Sequence, residues 1–263
     1  AKVLSPSESG SHNQYASNGL YHYLDDIISY SPEVREVVLN RRIRIDATTL
    51  SPDFMNSNGR GRYGEDKLMG FRNNYIQDWT VRGTQAYVGV HSDVGYWNSY
   101  EANAVCISGI FDVSFKLPPV PSGTYEIRLG YTCGDERGVV QFYVNNQPCG
   151  IPVDLRVYGP DPNIGWVEDT DDKDENTAND KAMRNHGFMK AMDSYRPEGA
   201  DHPLRGNNWN LRRILTTQYL DESQDYYLRC RQVLEDPQCY WSFDYIEICP
   251  KSVYGSPEGE DTH

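Results

Sequence analysis

The stretch VCISGIFDVSFKL, at residues 105–117, decides the fold class. Apolar and polar residues alternate along it over many positions, as they do in a strand with one buried face, and Pro118-Pro119 ends the pattern. The stretch therefore predicts a long, half-buried β-strand.

Further short strand patterns lie on both sides of this stretch. Pro121-Ser122-Gly123 makes a turn before residues 124–131, and Asn145-Asn146 provides a hairpin-type turn after residues 138–144. The other segments with strand patterns are residues 85–90, 150–157, 211–219, 226–232 and 240–249. Almost no helical pattern separates these segments, which indicates an all-β antiparallel sandwich. We expect residues 105–157 and 211–249 to supply its two facing sheets.

The first 66 residues have a different pattern. Ser31 can cap a helix whose first turn holds Pro32 and Glu33, and residues 51–66 form a polar, glycine-containing loop. The predicted organisation is an N-terminal segment at 1–66, a β-sandwich at 67–250 and a polar tail at 251–263.

A long insertion without strand patterns occupies residues 159–210. It contains an acidic run at 168–175 and a short helical pattern near residues 178–192. A calcium-binding EF-hand loop started at Asp169 would have Lys173 at its fifth position, where an acidic ligand is required. The expectation is a solvated acidic loop.

Composition excludes several classes of function. The 263-residue chain has a formal net charge of −13, which disfavours nucleic-acid partners because phosphate contacts need clustered Lys and Arg. No run of 18 apolar residues occurs, so we expect no membrane span. The six cysteines include no Cys-x-x-Cys pair, which argues against a zinc site. Free buried thiols are favoured over disulfides, and both remain open.

Two parts of the sequence resemble known families. Residues 18–25 (NGLYHYLD) are similar to the closing strand of a fasciclin (FAS1) repeat. Residues 123–129 and 138–145, together with FDYIEI at 243–248, resemble the strands of galactose-binding-like jelly rolls, which include carbohydrate-binding modules and discoidin-like domains. The whole looks like the C-terminal region of bacterial surface lipoproteins that carry fasciclin domains.

These resemblances carry several implications. They imply a galactose-binding-like jelly roll, an extracellular or cell-surface location with a lipid-anchored parent chain, and an upstream fasciclin domain as a neighbour. They imply no cofactor, although jelly rolls often hold a structural calcium ion, whose position the sequence does not indicate.

Clusters of aromatic and amide residues are the candidate ligand-binding groups. Sugar rings stack on aromatic faces while their hydroxyl groups bond to neighbouring Asn, Asp or Arg. The predicted site is drawn from two such clusters and consists of Trp97, Asn98, Arg205, Asn207, Asn208 and Trp209. Trp166 with Asp161 and Asn163 forms a third cluster. For each tryptophan the alternative is that it closes one end of the sandwich.

Three functions remain open. No nucleophile elbow, metalloprotease helix or phosphate-binding loop occurs, so the favoured function is non-catalytic binding of a glycan or a surface protein. The alternatives are a structural or adhesion domain that packs on a fasciclin neighbour, and a glycoside-acting enzyme that uses carboxylates of the insertion.

Overall fold

The computed structural model describes residues 2–5, 7, 14–16, 19–26, 31–56, 67–92, 99–197 and 199–255. The chain divides into two compact units, Ala1–Val38 and Leu39–His263. Within the described residues, no helix has both the length and the apolarity needed to cross a bilayer.

The first unit contains a small hairpin and most of a helix. Strands β1 (Gln14–Ala16) and β2 (Gly19–Tyr21) pair antiparallel, and helix α1 spans Pro32–Leu39. The helix begins where the sequence predicts, with the backbone N–H of Val34 donating to Ser31 Oγ at 3.4 Å. Asn18, in the fasciclin-like stretch, lies outside the described residues, and the fasciclin neighbour stays a prediction.

The second unit is mainly antiparallel β structure, as predicted. Its strands are β3 (Ile43–Asp46), β4 (Lys67–Phe71), β5 (Trp79–Ser92), β6 (Asn103–Lys116), β7 (Gly123–Thr132), β8 (Val139–Val144), β9 (Gln147–Pro148), β10 (Val153–Asp154), β11 (Phe188–Lys190), β12 (Asn210–Leu220), β13 (Tyr227–Gln232) and β14 (Tyr240–Pro250). Its helices are α2 (Pro52–Asn56), α3 (Lys173–Asn185) and α4 (Lys251–Tyr254), with 3-10 turns at Ala47–Thr49, Asn73–Tyr75, Tyr100–Ala102 and Leu204–Gly206.

Strands β5 and β6 belong to both layers of the jelly-roll-like sandwich. In β6, residues 105–108 pair with β14, whereas residues 112–116 pair with β13. The pairing partner of β6 changes at Gly109, whose φ of 88° suits glycine. This residue lies opposite a register shift between Thr84 and Tyr87 of β5. The hydrogen-bonded sheet of twelve strands therefore curls back on itself.

We call the two layers sheet A and sheet B. Sheet A contains the first part of β5, the second part of β6, and β13, β8, β9 and β10. Sheet B contains β4, the second part of β5, the first part of β6, and β14, β3, β7, β12 and β11. Both sheets thus draw strands from residues 105–157 and from 211–249, contrary to the expectation that each stretch supplies one sheet.

Aromatic rings fill the space between the sheets. Trp79, Phe115, Phe243 and Trp241 stack in sequence, with ring centroids 4.5, 5.5 and 4.7 Å apart. Trp241 is fully buried, as predicted for a core residue. Aromatic rings of this size bury roughly 150–250 Å² each.

Residues 43–56, which the sequence places in the N-terminal segment, are part of the sandwich. Strand β3 pairs with β14, and Phe54 of α2 is fully buried against Phe71 and Trp79. Helix α1 ends at Leu39, and Ile43 begins β3.

The insertion is structured and packs on sheet B. Asp172 caps α3 by accepting from the N–H groups of Asp174 and Glu175, at 2.9 and 3.1 Å. Residues 173–175 of the acidic run therefore belong to a helix and not to a loop. The expectation of solvation holds for those side chains of the run that are exposed. Arg184 of the helix bonds to Glu126 of β7 at 2.7 Å, which fastens α3 to sheet B.

Candidate functional site

An open cleft lies where the edges of the two sheets face each other. Its volume is about 350 Å³. Strand β10 and the loop after it form one wall, and β11 with β12 form the other. We call it the side cleft; its lining residues are Ile151, Pro152, Val153, Asp154, Val157, Asp161, Asn163, Ile164, His186, Phe188 and Arg213.

One wall of the side cleft combines an aromatic ring with a guanidinium group. Phe188 and Arg213 are register partners on β11 and β12, and the guanidinium lies 4.6 Å from the ring centroid. Arg213 Nη1 also donates to the carbonyl oxygens of His186 and Gly187, at 3.0 and 2.8 Å. Burial lowers the pKa of Arg213 from its usual value, but a guanidinium stays charged at neutral pH. Phe188 itself is partly buried against the core, so this wall offers the exposed part of its ring beside a fixed donor.

The facing wall supplies polar groups above an apolar floor. Asp161 Oδ1 accepts from the backbone N–H and the side-chain Nδ2 of Asn163, at 2.8 and 2.9 Å. These two side chains are thereby held in one orientation at the rim. Ile151 is 77% exposed beside them, and Ile164 and Val153 form part of the buried floor.

Asp154, the second carboxylate of the side cleft, is already bonded to Arg156. Asp154 accepts two hydrogen bonds from the Arg156 guanidinium, at 2.8 and 2.6 Å. These bonds hold the pKa of Asp154 below its usual range. Asp154 is therefore ionised at neutral pH and cannot act there as a general acid, a role that requires a raised pKa.

Two residues of the predicted site, Arg205 and Asn207, are buried. Arg205 bonds to Asp169 Oδ2 at 2.5 Å and to Asp180 Oδ2 at 2.6 Å, and Lys190 joins the same Asp169 at 2.6 Å. Burial opposes the charge of Asp169, but hydrogen bonds from Arg205 and Lys190 lower its pKa overall. Asn207 is 2% exposed, and its side-chain nitrogen has no hydrogen-bond partner among the described residues.

Trp209 and Asn208 are partly exposed. Trp209 packs against the core, and its carbonyl oxygen accepts from the Cys133 N–H at 2.9 Å. The Asn208 carbonyl accepts from the Gly159 N–H at 2.9 Å, and the Gly159 carbonyl accepts from the Trp166 N–H at 2.9 Å. The fold thus joins the predicted cluster at 205–209 to the loop that carries Asp161, Asn163 and Trp166.

Trp97 and Asn98 lie outside the described residues. Their place relative to Trp209 therefore stays a prediction, as does the ligand-binding role of the whole predicted set. Trp166, like Trp209, packs against the core as a partly buried residue, which matches the alternative of a loop tryptophan that closes the sandwich.

The sequence offers little that points to the side cleft. Phe188 follows His186-Gly187 in the insertion, where the sequence shows no strand pattern. Arg213 lies in a predicted strand, but the sequence does not indicate which strand pairs with it. Among the residues that line the cleft, the sequence points to Asp161 and Asn163, because amides and carboxylates near a tryptophan are typical of sugar sites.

Two buried carboxylates, Asp46 and Asp244, and the buried amide of Asn103 offer oxygen donors to a metal ion. Asp46 accepts from Asn103 Nδ2 at 3.2 Å, and both oxygens of Asp244 accept from the Tyr100 N–H, at 3.0 and 3.1 Å. Asn103 is fully buried, and its Oδ1 has no hydrogen-bond partner among the described residues.

The electrostatics of Asp244 favours a cation in part: the Tyr100 N–H and the charge of Arg44 already counter part of the rise in pKa that burial causes, and Asp46 Oδ1 already accepts two hydrogen bonds from Thr48. Burial raises the pKa of Asp244 well above its usual range, and the nearby charge of Asp46 raises it further. A hard cation would offset both effects and accept oxygen ligands of this kind. Asp46, Asn103 and Asp244 are therefore the residues that would hold the structural calcium that the jelly-roll resemblance allows. Within the described residues, no three His, Cys, Asp or Glu side chains form a metal-binding group.

The cysteines, and the carboxyl group with a raised pKa, are poorly placed for catalysis. All six cysteines are free thiols, and burial raises the pKa of Cys106 to about 11 and that of Cys133 to about 12. A thiol with such a pKa is a poor nucleophile because the thiolate is scarce at neutral pH. The carboxyl group with a raised pKa, Asp244, is 2% exposed.

Comparison with known proteins gives remote structural likenesses. No family model matches the chain, and no curated protein matches it. Similar solved structures include a Paenibacillus xanthan lyase (11% identity, 65% of this chain, TM-score 0.38) and a family 35 carbohydrate-binding module from Clostridium thermocellum (13% identity, 70% of this chain, TM-score 0.34). An exo-β-1,3-galactanase from Phanerochaete chrysosporium is also similar (12% identity, 69% of this chain, TM-score 0.31).

The chain spans very different shares of these proteins. It covers 99% of the binding module, but only 12% of the lyase and 29% of the galactanase. Identities and TM-scores this low bear on neither ligand nor reaction.

Proposed function

We propose that this chain is a non-catalytic, extracellular glycan-binding module, with the side cleft as its sugar site. The observation that carries the proposal is the composition of the cleft: an apolar floor and the Phe188 ring, beside the oriented donors and acceptors of Arg213, Asn163 and Asp161. A sugar ring presents an apolar C–H face and a rim of hydroxyl groups, and both are matched here.

The size and openness of the cleft suit the binding of a small part of a larger ligand. A volume of about 350 Å³ lies at the lower end of the usual range for ligand sites, roughly 300–1,000 Å³. One or two sugar residues fit such a space while the rest of a chain stays in solvent. The module would therefore recognise a terminus or a branch of a polysaccharide.

The test is a glycan array followed by calorimetric titration. The intact chain is screened on plant, host and microbial polysaccharides, and the best ligand is titrated into wild type, Phe188→Ala and Asn163→Ala. We expect each substitution to weaken binding at least tenfold, because each removes one of the two kinds of contact. Absence of signal on the whole array would contradict the proposal.

A matched control separates the cleft from general effects of removing an aromatic ring. Tyr219 of β12 is 62% exposed and does not line the cleft. Tyr219→Ala should bind as wild type does. Equal losses in Tyr219→Ala and Phe188→Ala would indicate a ligand site elsewhere on the surface.

The residues predicted from the sequence offer a second position for the sugar. Trp97, Asn98, Arg205, Asn207, Asn208 and Trp209 remain proposed ligand residues. If Trp97→Ala abolishes binding while Phe188→Ala does not, the sugar lies at the predicted set instead of the side cleft.

The glycoside-acting alternative has weaker support. Such enzymes need a protonated carboxylic acid at neutral pH beside a second carboxylate. In the side cleft, Asp154 is held ionised by Arg156 and Asp161 is bonded to Asn163. Release of reducing sugar from a polysaccharide panel, lost on Asp161→Asn, would favour the enzyme.

A further inference from the structure

A second concave surface crosses the exposed face of sheet A. It consists of two neighbouring depressions, of about 340 Å³ and 570 Å³; Arg229 lines the first, Asp112 lines the second, and these two side chains form an ion pair. The surface follows β13 from Tyr227 and extends to Val233, just after the strand. We call it the sheet furrow; its lining residues include Arg82, Asp112, Asn146, Tyr227, Arg229 and Arg231.

Three guanidinium groups surround one carboxylate at the centre of the furrow. Arg82 and Arg231 are the cross-strand partners of Asp112 on its two neighbouring strands, so all three side chains project from the same face. Arg229 bonds to both oxygens of Asp112, at 2.7 and 2.6 Å. Hydrogen bonds from Arg229, and the charges of Arg231 and Arg82, hold the pKa of Asp112 below its usual range.

Asp112 therefore neutralises only part of the positive charge around it. Its two oxygens are occupied by Arg229, and among the described residues neither Arg82 nor Arg231 has a carboxylate within ion-pair distance. Both of these arginines are exposed. In a chain with a net charge of −13, two adjacent exposed guanidinium groups form a local excess of positive charge.

The other charges in the furrow offset only part of this positive charge, since Asp225 is paired with Lys116 and Glu235 is the one further carboxylate among the lining residues. Lys116 and Asp225 form an ion pair of 2.7 Å at one end, and Glu235 lies at the other. The Arg229 guanidinium lies 5.0 Å from the Tyr143 ring centroid, which holds it in place. Tyr227, 42% exposed, and Asn146 extend the furrow with an aromatic face and an amide.

We infer that the sheet furrow is a second glycan site, separate from the side cleft, and that it binds a carboxylate-bearing polysaccharide such as a polyuronate. A guanidinium presents a planar pair of N–H donors that matches a carboxylate bidentately. Arg82 and Arg231 would take up uronate carboxylates, while Tyr227 and Asn146 contact the sugar rings. From Tyr227 to Arg231 the furrow covers four residue steps of β13, roughly 3.3 Å each, which provides room for more than one sugar unit.

The experiment is affinity electrophoresis of the full chain in gels that contain polygalacturonate, neutral dextran or dextran sulfate. Wild type should be retarded by polygalacturonate, with retardation that weakens as salt is added, because exposed charges are screened. R82Q/R231Q should lose at least tenfold in affinity. Absence of retardation of the wild type by polygalacturonate would overturn the inference.

Control variants isolate the position and the geometry of the charges. R41Q/R72Q makes the same change in net charge at two exposed arginines outside the furrow, and should bind as wild type does. R82K/R231K keeps the charge but removes the bidentate donors, and should fall between wild type and R82Q/R231Q. Equal losses in R82Q/R231Q and R41Q/R72Q would overturn the inference.

Two further results are decisive. Retardation by dextran sulfate alone would overturn the assignment to carboxylates. Phe188→Ala should leave polygalacturonate binding unchanged, so failure of the side cleft and failure of the furrow are distinguishable. Melting temperatures within a few degrees of wild type are required of each variant; if R82Q/R231Q unfolds, the single variants R82Q and R231Q replace it.

Discussion

Glu247 of β14 accepts a hydrogen bond from Arg212 of β12 at 3.2 Å, and the two side chains are only 0% and 1% exposed. Arg128 and Arg44 contact the same carboxylate, at 3.4 and 2.7 Å. Arg212 also donates to the Lys190 carbonyl at 2.7 Å, so this buried network connects sheet B to the insertion. Burial alone would raise the pKa of Glu247, but the surrounding guanidinium groups lower it well below the usual range.

Removing this carboxylate should strongly destabilise the fold. Glu247→Gln removes the buried carboxylate that Arg212, Arg128 and Arg44 contact, and the loss in unfolding free energy should be about 3–5 kcal/mol. The measurement is urea denaturation at neutral pH. Asp225→Asn, which breaks the exposed pair with Lys116, is the control and should cost at most about 1 kcal/mol. Similar losses in the two variants would refute the role of the buried network.

The contribution of Glu247 should disappear in acid. Because its pKa is lowered by folding, the stabilisation is present above the unfolded-state pKa of about 4.3 and is lost as the pH falls through the folded-state value. The difference in unfolding free energy between wild type and Glu247→Gln should therefore be constant from pH 7 to about 5 and shrink below about 4. A difference that does not depend on pH would contradict the account.

Calcium should stabilise the protein through Asp46, Asn103 and Asp244. We expect millimolar calcium to raise the melting temperature of the wild type and EGTA to remove the increase, as measured by differential scanning fluorimetry. Asp244→Asn should abolish this response, whereas Asp225→Asn should keep it. Without calcium, Asp244→Asn should be at least as stable as wild type at neutral pH, because the raised pKa of Asp244 means that folding penalises its ionised form. An unchanged wild-type melting temperature on addition of calcium would rule out this site.

Trp209 should matter for stability as well as for any ligand. Since its ring packs against the core while part of it stays exposed, Trp209→Ala should cost roughly 2 kcal/mol, less than the 3–5 kcal/mol of a fully buried tryptophan. Denaturation of Trp209→Ala beside Trp241→Ala measures the difference. A Trp209→Ala protein as stable as wild type would identify the ring as a free platform for a sugar.

The corner of β6 should not tolerate a side chain. At Gly109, a Cβ would overlap with the carbonyl oxygen of Gln85, and the positive φ adds strain for any L-residue. Gly109→Ala should lower the unfolding free energy by about 1–3 kcal/mol, or more if the neighbouring strand has to shift. Gly150, which also has a positive φ but open space around it, is the control, and Gly150→Ala should cost less.

Strand periodicity accounts for most of what the sequence predicts correctly. The alternation at 105–117 reappears as the alternating burial of β6, and the Asn145-Asn146 turn has both φ angles positive, at 46° and 66°, as a two-residue hairpin requires. Short edge strands are not predicted by the sequence. Strands β3, β4 and β11 span 4, 5 and 3 residues, which is too few to show the alternation of apolar and polar residues.

The candidate site was harder to predict because it depends on pairing across long separations. Phe188 and Arg213 become neighbours only when β11 pairs with β12. Arg205, a proposed ligand residue beside Asn207 and Trp209, also forms ion pairs with Asp169 and Asp180 from a distant part of the insertion, which local composition does not show. Local composition indicates the chemistry available, whereas long-range contacts decide which groups remain accessible.

A nuclear magnetic resonance titration of the ¹⁵N-labelled chain with its best array ligand tests the sugar site most directly. Binding in the side cleft predicts that the largest amide shifts occur at Asn163, Gly187, Phe188 and Arg213. Large shifts confined to residues outside the cleft, with those four unchanged at saturation, would contradict the assignment.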